Sequence, residues 1–506
     1  MGVFDGKEMA KHAAFACVMG VVAACASIVL CLAVSLAYGT VLEHQWLLYL
    51  LPVLGVLATL LYKWWRLPLN TTTHTVVNDI RENKQISPFL APGILIGTFL
   101  SILGGASVGK EAGALHMGAS LGDLVSRPFK LKPVSRKDQE AVKQKRAQRA
   151  EQAKADADAT ASHEAAAAEL AKAAKSEKLA DKLFRKDTEP DGGMRAYAAS
   201  LGMAATFSAL FFAPLGSAFF VFELTRYKRS VIKHAISLLV ACFIAYLIAS
   251  FVGIGDIIPK VNIPELSWPV VGQCLVVAVV AGIVGTLFVK GIDGLQTVTQ
   301  RISKNYYMWV FIGGILIIAM TLLFGWQAYE GTGGNQLALA LKGEQADWGF
   351  AIKALLTMVA LGLWFKGGEI MPTFTIGALL GASCTVMTGG EVGIAAAVGL
   401  VAFFTAMSRC PLAAFFMGCE IFGWAAAPLF AIAVIVAFSL GKDVGYYGEG
   451  ATHTVRHFAR GVARKNNKAF YDGATTTTES IHEHLTSAEK ALETLENPPA
   501  QSPSQK

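Results

Sequence analysis

Two carboxylates stand inside glycine-rich, apolar stretches of this 506-residue chain. They are Glu111, in Ser107-Val-Gly-Lys-Glu-Ala-Gly113, and Glu369, in Lys366-Gly-Gly-Glu-Ile-Met-Pro372. An ionisable side chain at bilayer depth costs several kcal/mol, so its presence there points to ion or proton chemistry. A third stretch, Asn70-Thr-Thr-Thr-His-Thr75, also starts with small polar residues and then turns apolar. A helix start leaves four backbone N–H groups unpaired and carries about half a positive charge. Glycine lets an ion approach that backbone closely, and Pro372 suits the first turn of a helix. Several such starts converging on one point would bind a small anion without a full positive charge to trap it.

The expected donors are the backbone of Gly109, Lys110 and Ala112 and that of Gly368, Ile370 and Met371. The Thr72, Thr73 and His74 segment adds hydroxyl or ring donors. In Asp443-Val-Gly-Tyr-Tyr-Gly448 one phenol is available; Tyr447 is assigned the role, with Tyr446 and an interfacial-anchor function left open. Ionised, Glu111 acts as a tethered anion in such a site, and protonated it leaves. Glu369 supplies a second protonatable group, or else a helix-capping partner. Glu223 and Glu420 read as structural. His74 and His116 are lone histidines, more often packed or hydrogen-bonded than ligands, and His74 enters only as part of its segment.

The order of elements repeats. Gly109-Lys-Glu-Ala-Gly-Ala-Leu-His-Met-Gly-Ala-Ser-Leu-Gly122 aligns with Gly368-Glu-Ile-Met-Pro-Thr-Phe-Thr-Ile-Gly-Ala-Leu-Leu-Gly381. Further on, Ala213-Pro-Leu-Gly-Ser-Ala-Phe-Phe-Val-Phe-Glu223 aligns with Cys410-Pro-Leu-Ala-Ala-Phe-Phe-Met-Gly-Cys-Glu420. Internal repeats of this kind place a binding site at the interface between halves.

Composition names the solvent in which these elements fold. Apolar residues make up 54% and charged residues 16%, against about 25% charged in a soluble domain. Of the 81 charged residues, 25 lie between Arg127 and Lys186 and 13 follow Ala451, so the rest of the chain is poorer still. This is the pattern of an all-α, multi-pass integral membrane protein. A span needs about 20 apolar residues; the candidates are 12–38, 46–65, 229–253, 267–291, 306–325 and 423–440. Stretches 88–104, 193–212, 347–365 and 391–407 are Gly-rich or short. Shorter, broken segments cover 72–82, 107–124, 213–225, 334–342, 369–386 and 411–421. Interrupted helices are tolerated in a bilayer only where protein or a polar cavity surrounds them, which suits a transporter or channel.

The basic clusters at 63–66, 127–149, 226–233 and 301–304 all face the cytosol if the N-terminus does. Residues 1–125 and 193–254 then form a first half, split by a charged insertion at 126–192 that is helical or disordered. Residues 255–450 form the second half, and 451–506 a polar cytoplasmic tail too short for a paired regulatory domain. The eight cysteines sit singly in apolar runs and read as small core residues. His163-Glu164 opens like a zinc-protease HExxH motif, but Ala167 occupies the second histidine position. No metal, nucleophile or phosphate-loop motif remains, so neither an enzyme, a cofactor nor a nucleic-acid partner is expected.

With these residues in place, the chain over about 10–450 resembles the CLC family of chloride channels and anion/proton antiporters. Ser107-Val-Gly-Lys-Glu-Ala-Gly113 is similar to the family's G(K/R)EGP segment, with Ala112 and Gly113 in place of Gly-Pro. On that match Glu111 is the gating glutamate. Ala213–Glu223 resembles the N-A-P-L-x-G helix start, and Gly331-Thr-Gly-Gly-Asn335 a Gly-rich start in the second half. Gly367-Gly-Glu-Ile-Met-Pro372 replaces the family's G-x-F-x-P and is similar to the GGE(V/I)xP pattern of the bacterial fluoride/proton antiporter branch. Thr72-Thr-His-Thr-Val-Val-Asn-Asp-Ile80 stands where G-S-G-I-P is usual and is closer to the G-N-x-L-x-x-D-E-I run of that branch. Chloride/proton exchangers usually carry a second glutamate where this chain has Leu224, leaving Glu369 as its substitute. The Cys410–Gly423 segment also looks like that branch.

The resemblance implies a CLC-type inverted-repeat bundle whose expected partners are a second copy of the chain, the lipid bilayer, a halide and protons. The expected activity is proton-coupled fluoride export across the cytoplasmic membrane. The alternatives are a chloride channel or chloride/proton exchanger, and a non-transporting membrane scaffold.

Overall fold

The computed structural model describes residues 5–132, 193–254, 258–441 and 444–448. Most of the expected 126–192 insertion and the whole 451–506 tail lie outside the described residues. Among those described there is no β-strand, and 17 α-helices carry the fold. The first half holds α1 (Gly6–Glu43), α2 (Leu51–Trp64), α3 (Thr73–Arg81), α4 (Leu90–Leu103) and α5 (Glu111–Phe129). After the insertion come α6 (Met194–Phe211), α7 (Pro214–Leu224), α8 (Arg229–Ile232) and α9 (Ala235–Val252). The second half holds α10 (Trp268–Ile302), α11 (Tyr306–Phe324), α12 (Gly334–Lys342) and α13 (Gly349–Gly362). It ends with α14 (Ile370–Thr388), α15 (Val392–Ser408), α16 (Pro411–Phe422) and α17 (Ala427–Leu440).

Among the described residues, six helical stretches are long and apolar enough to cross a membrane: α1, Gln45–Trp64 with α2, α9, α10, α11 and α14. Continuity differs from expectation in four segments. The 423–440 span is a 3-10 turn, Trp424–Ala426, followed by the 14-residue α17. The 229–253 span breaks after the four-residue α8, and α9 begins at Ala235. Conversely, 107–124 and 369–386, expected as broken pieces, contain the unbroken 19-residue helices α5 and α14. Pro372 does not interrupt α14 because it sits in the first turn, where its missing N–H costs no hydrogen bond. The short helices α3, α7, α12 and α16 have 9, 11, 9 and 12 residues, about half of a span.

The surface is apolar and much of the polar chemistry is inside. Phe251 and Leu323 are exposed, while Glu111, Glu223, Lys353, Glu369 and Arg409 are buried. That inversion is what a hydrocarbon solvent selects. Six of the eight cysteines are buried, as expected, but Cys17 and Cys25 are on the outward face of α1.

The internal repeat has a physical counterpart at each level. In the first half α5 crosses α6 where a Cβ on Gly118 would lie 2.4 Å from the Gly202 carbonyl oxygen. In the second half α14 crosses α15 where a Cβ on Gly377 would lie 2.7 Å from the Gly399 carbonyl oxygen. Small residues let these backbones touch, which is how helices associate tightly in lipid. After each crossing the chain turns through a left-handed residue, Phe212 or Arg409, and restarts with a proline in the first turn of α7 or α16. The two restarts then meet: Phe219 stacks on Phe416 with ring centroids 4.4 Å apart. The two halves differ by 62 residues between their matched elements, the length of the charged stretch from Lys130 to Asp191. The extra residues therefore fall between α5 and α6 and leave the pairing of those helices intact.

Candidate functional site

Two extended glycine segments lead into α5 and α14 and meet head to head. Gly109 N–H donates to the Gly368 carbonyl at 2.6 Å, and Gly368 N–H donates to the Gly109 carbonyl at 2.6 Å. This is an antiparallel bridge. Neither position tolerates a side chain: a Cβ on Gly109 would lie 2.2 Å from Glu111 Oε2, and one on Gly368 would lie 2.7 Å from the Ala112 nitrogen. The N–H groups of Gly109 and Gly368, expected to hold an anion, are thus committed to each other. The first-turn N–H groups of α5 and α14 remain without an intrahelical acceptor, as at any helix start.

Glu111 is the first residue of α5 and is buried. Its Oε2 accepts a hydrogen bond from Met371 N–H at 3.2 Å, in the first turn of α14. A carboxylate of the first half therefore occupies the anion-attracting end of a helix of the second half. Ile370 opens α14, and Lys110 sits at the N-cap of α5; both are buried.

Glu369 immediately precedes α14, yet its carboxyl group does not cap that helix. Instead Tyr447 O–H donates to Oε1 at 2.6 Å and Thr73 O–H donates to Oε2 at 3.3 Å. The Thr73 hydroxyl also lies 3.2 Å from His116 Nε2. All four residues are buried. Residues from α3, α5, the start of α14 and the chain after α17 thus close on one carboxyl group.

The other members of the expected donor set lie elsewhere. Thr72 caps α3, accepting from Thr75 N–H at 3.4 Å, while Thr72 N–H donates to Thr75 Oγ1 at 2.9 Å. Its hydroxyl is occupied by this capping box. His74 turns along α3, where Asn78 Nδ2 donates to its Nε2 at 3.1 Å. The one-residue offset between Thr72, Thr73 and His74 rotates each side chain by about 100° on a helix, so only Thr73 reaches Glu369. Tyr446 is buried beside Tyr447 with ring centroids 5.4 Å apart, and its N–H donates to the Met407 carbonyl at 2.8 Å.

Sequence reasoning passed over two residues next to this site. Lys366 is buried three positions before Glu369; its Nζ donates to the Leu69 carbonyl at 2.5 Å and lies 4.7 Å from the Tyr62 ring centroid. The argument that singled out Glu369, an ionisable group at bilayer depth, applies equally to it. His116, expected to be packed or hydrogen-bonded, is both: it is buried and its Nε2 lies 3.2 Å from Thr73 Oγ1. Nothing in its spacing signals that contact, because the partner lies 43 residues away.

Glu223 and Glu420 are fully used by structure. Glu223 accepts from Leu412 N–H at 3.1 Å and Ala413 N–H at 2.9 Å, at the start of α16. Glu420 accepts from Leu215 N–H at 2.9 Å and Gly216 N–H at 2.8 Å, at the start of α7.

Comparison with known proteins agrees with this architecture. A family model described as voltage gated chloride channel matches residues 54–150 and 164–442. A chloride/fluoride channel protein of Pseudomonas syringae pv. tomato (strain ATCC BAA-871 / DC3000) is 27% identical over 468 residues, covering 89% of this chain and 88% of that protein. Among solved structures, a CLC-type fluoride/proton antiporter superposes with a TM-score of 0.70 at 21% identity, covering 87% of this chain and 98% of the other. A slow cyanobacterial Cl⁻/H⁺ antiporter superposes with a TM-score of 0.64 at 16% identity, covering 90% and 99%. At these identities the structural likeness speaks for the fold. The family match extends over most of the sequence and over both glycine segments. On these grounds the chain belongs to the voltage gated chloride channel, or CLC, family.

Proposed function

We propose that this CLC-type anion transporter exports fluoride across the cytoplasmic membrane in exchange for protons, working as a homodimer with one pathway per subunit. The observation that carries the reading is the carboxyl group of Glu369, held by Tyr447 and Thr73 instead of capping its own helix. A buried acid gripped by two hydroxyl donors, close to a glycine-lined helix start, can hold or release a proton where an anion passes.

Glu111 takes the gating part. Ionised, it rests on Met371 N–H and fills the position that an anion would take; protonated, it gives that position up. Glu369 takes the second proton, in place of the glutamate that Leu224 replaces. The neighbouring Glu223 is held by two N–H groups of α16 and has no part in proton transfer. The fluoride assignment draws on the Gly367–Pro372 pattern and on relatives named for fluoride. Fluoride is small and strongly hydrated, so its selection needs several donors close together. Those donors are the first-turn N–H groups of α5 and α14. The 126–192 insertion and the 451–506 tail lie on the cytoplasmic side in this reading.

The test is efflux of fluoride and of chloride from liposomes holding the purified protein, with internal pH recorded. Fluoride efflux that drives protons inward, and that stops in Glu111→Gln and Glu369→Gln, is the expected result. Chloride efflux without proton movement would overturn it in favour of a channel.

A further inference from the structure

The Glu369 site continues into a small cavity for which the exchange scheme has no use. It holds about 20 Å³ and is lined by Thr73, His116, Lys366, Glu369 and Tyr446, reaching half-buried Gln296 at one side. That is room for about one water molecule. His116 is buried, with Nε2 at 3.2 Å from Thr73 Oγ1 and with Nδ1 lacking any hydrogen-bond partner. Thr73 O–H donates onward to Glu369 Oε2 at 3.3 Å. A hydroxyl that gives its proton to a carboxylate can only accept from its other neighbour. Neutral His116 therefore donates through Nε2 and carries a lone pair on Nδ1.

We propose that His116 and Thr73 form a proton relay that loads Glu369 from this cavity. A proton carried by water in the cavity binds the Nδ1 lone pair. The Nε2 proton passes to Thr73 Oγ1 as the Thr73 hydroxyl proton passes to Glu369 Oε2. One N–H bond forms at Nδ1 and one breaks at Nε2; the Thr73 O–H bond is broken and remade, and Glu369 becomes a neutral acid. His116 ends neutral in its other tautomer; the first returns when Nδ1 releases its proton to cavity water and Nε2 takes one from water as the ring swings off Thr73. The titratable groups around the cavity are Glu369, Lys366 and Tyr446, with Tyr447 bonded to the far oxygen of Glu369. Lys366 lines the same cavity, and the relay needs no standing charge on His116, because one proton enters at Nδ1 as another leaves at Nε2. His116 on this account positions and passes protons without touching the anion.

The relay rests on Glu369 being a proton carrier, and the experiment separates the two. Fluoride efflux and proton influx are measured in proteoliposomes of the wild-type chain, His116→Gln and His116→Ala, with thermal melting as the check on folding. His116→Gln should slow coupled exchange at least about tenfold at neutral pH, with the deficit narrowing as the pH falls. Millimolar imidazole should restore His116→Ala, and Thr73→Val should abolish that rescue. Wild-type rate and proton ratio in folded His116→Gln overturn the relay alone. So does a slow His116→Ala that is indifferent to imidazole, which marks a packing role. A wild-type protein that moves halide without protons overturns the carrier reading and the relay together.

Discussion

Glu223 ends α7 and caps the start of α16, while Glu420 ends α16 and caps the start of α7. The four hydrogen bonds run from 2.8 to 3.1 Å, and the residues exchange places under the internal repeat. Each short helix thus presents its carboxylate to the positive end of the other, where the unpaired N–H groups and the helix dipole both favour it. Two helices of 11 and 12 residues that could not stand alone in lipid become one closed unit.

Replacing either carboxylate by its amide removes the charge and one of the two acceptor oxygens. Glu223→Gln and Glu420→Gln should each cost roughly 1–3 kcal/mol, read as a lower melting temperature in detergent. The double variant should cost less than the sum, since the two caps share one interface. The proton-to-anion ratio of the surviving protein should stay unchanged. A variant with wild-type stability and altered coupling would contradict the structural assignment.

Tyr447→Phe removes the donor 2.6 Å from Glu369. A hydrogen bond to a charged group is worth about 1.5–3 kcal/mol. Proton-coupled flux is therefore expected to fall by roughly one to two orders of magnitude, with little change in melting temperature. Tyr446→Phe, whose backbone and not its phenol makes the bond to Met407, should exchange within about twofold of wild type. Paired flux assays on the two variants decide which tyrosine is used.

Gly109→Ala drives a methyl group to 2.2 Å from Glu111 Oε2 and toward Pro372. The carboxylate must leave Met371 N–H or the glycine bridge must open. Either change should abolish exchange and lower stability by several kcal/mol. Gly368→Ala, meeting the Ala112 nitrogen at 2.7 Å, should behave alike. Folded protein with ordinary flux from either variant would count against the bridge as drawn.

Thr72 and Thr73 are adjacent and should fail differently. Thr72→Ala loses the α3 cap at a cost of about 1 kcal/mol, with transport preserved. Thr73→Ala loses the hydroxyl between Glu369 and His116, and should leave stability nearly unchanged while slowing coupled exchange. Melting curves and flux measured on the same preparations separate the two roles.

Much of the fold was legible in the chain because a bilayer punishes unpaired backbone and charge so heavily. Apolar run length marked most of the helices, although the helix expected at 267–291 runs on to Ile302 and the one expected at 12–38 covers Gly6–Glu43, and the Gly109–Gly122 and Ala213–Glu223 repeats announced the two halves. Where the reading went astray, the error was local. The glycines of α5 looked like helix breaks, but they serve helix contact; Pro372 sits in the first turn of α14, as expected. The run at 229–253 looked continuous because apolar composition does not register the turn before Ala235.

For the site, residue chemistry alone picked out Glu111 and Glu369, since a carboxylate in an apolar, glycine-rich stretch has few bland explanations. It also offered all of Gly109, Gly368, Thr72, Thr73, His74 and Tyr447 as donors, because every N–H and hydroxyl looks available in one dimension. Only the tertiary structure decided which were spent. Gly109 and Gly368 bond each other, Thr72 caps its helix and His74 meets Asn78. Thr73 and Tyr447 close on Glu369, and His116 meets Thr73. A hydrogen bond has one direction and a short reach, so its partners are set by how helices cross and not by the order of residues along the chain.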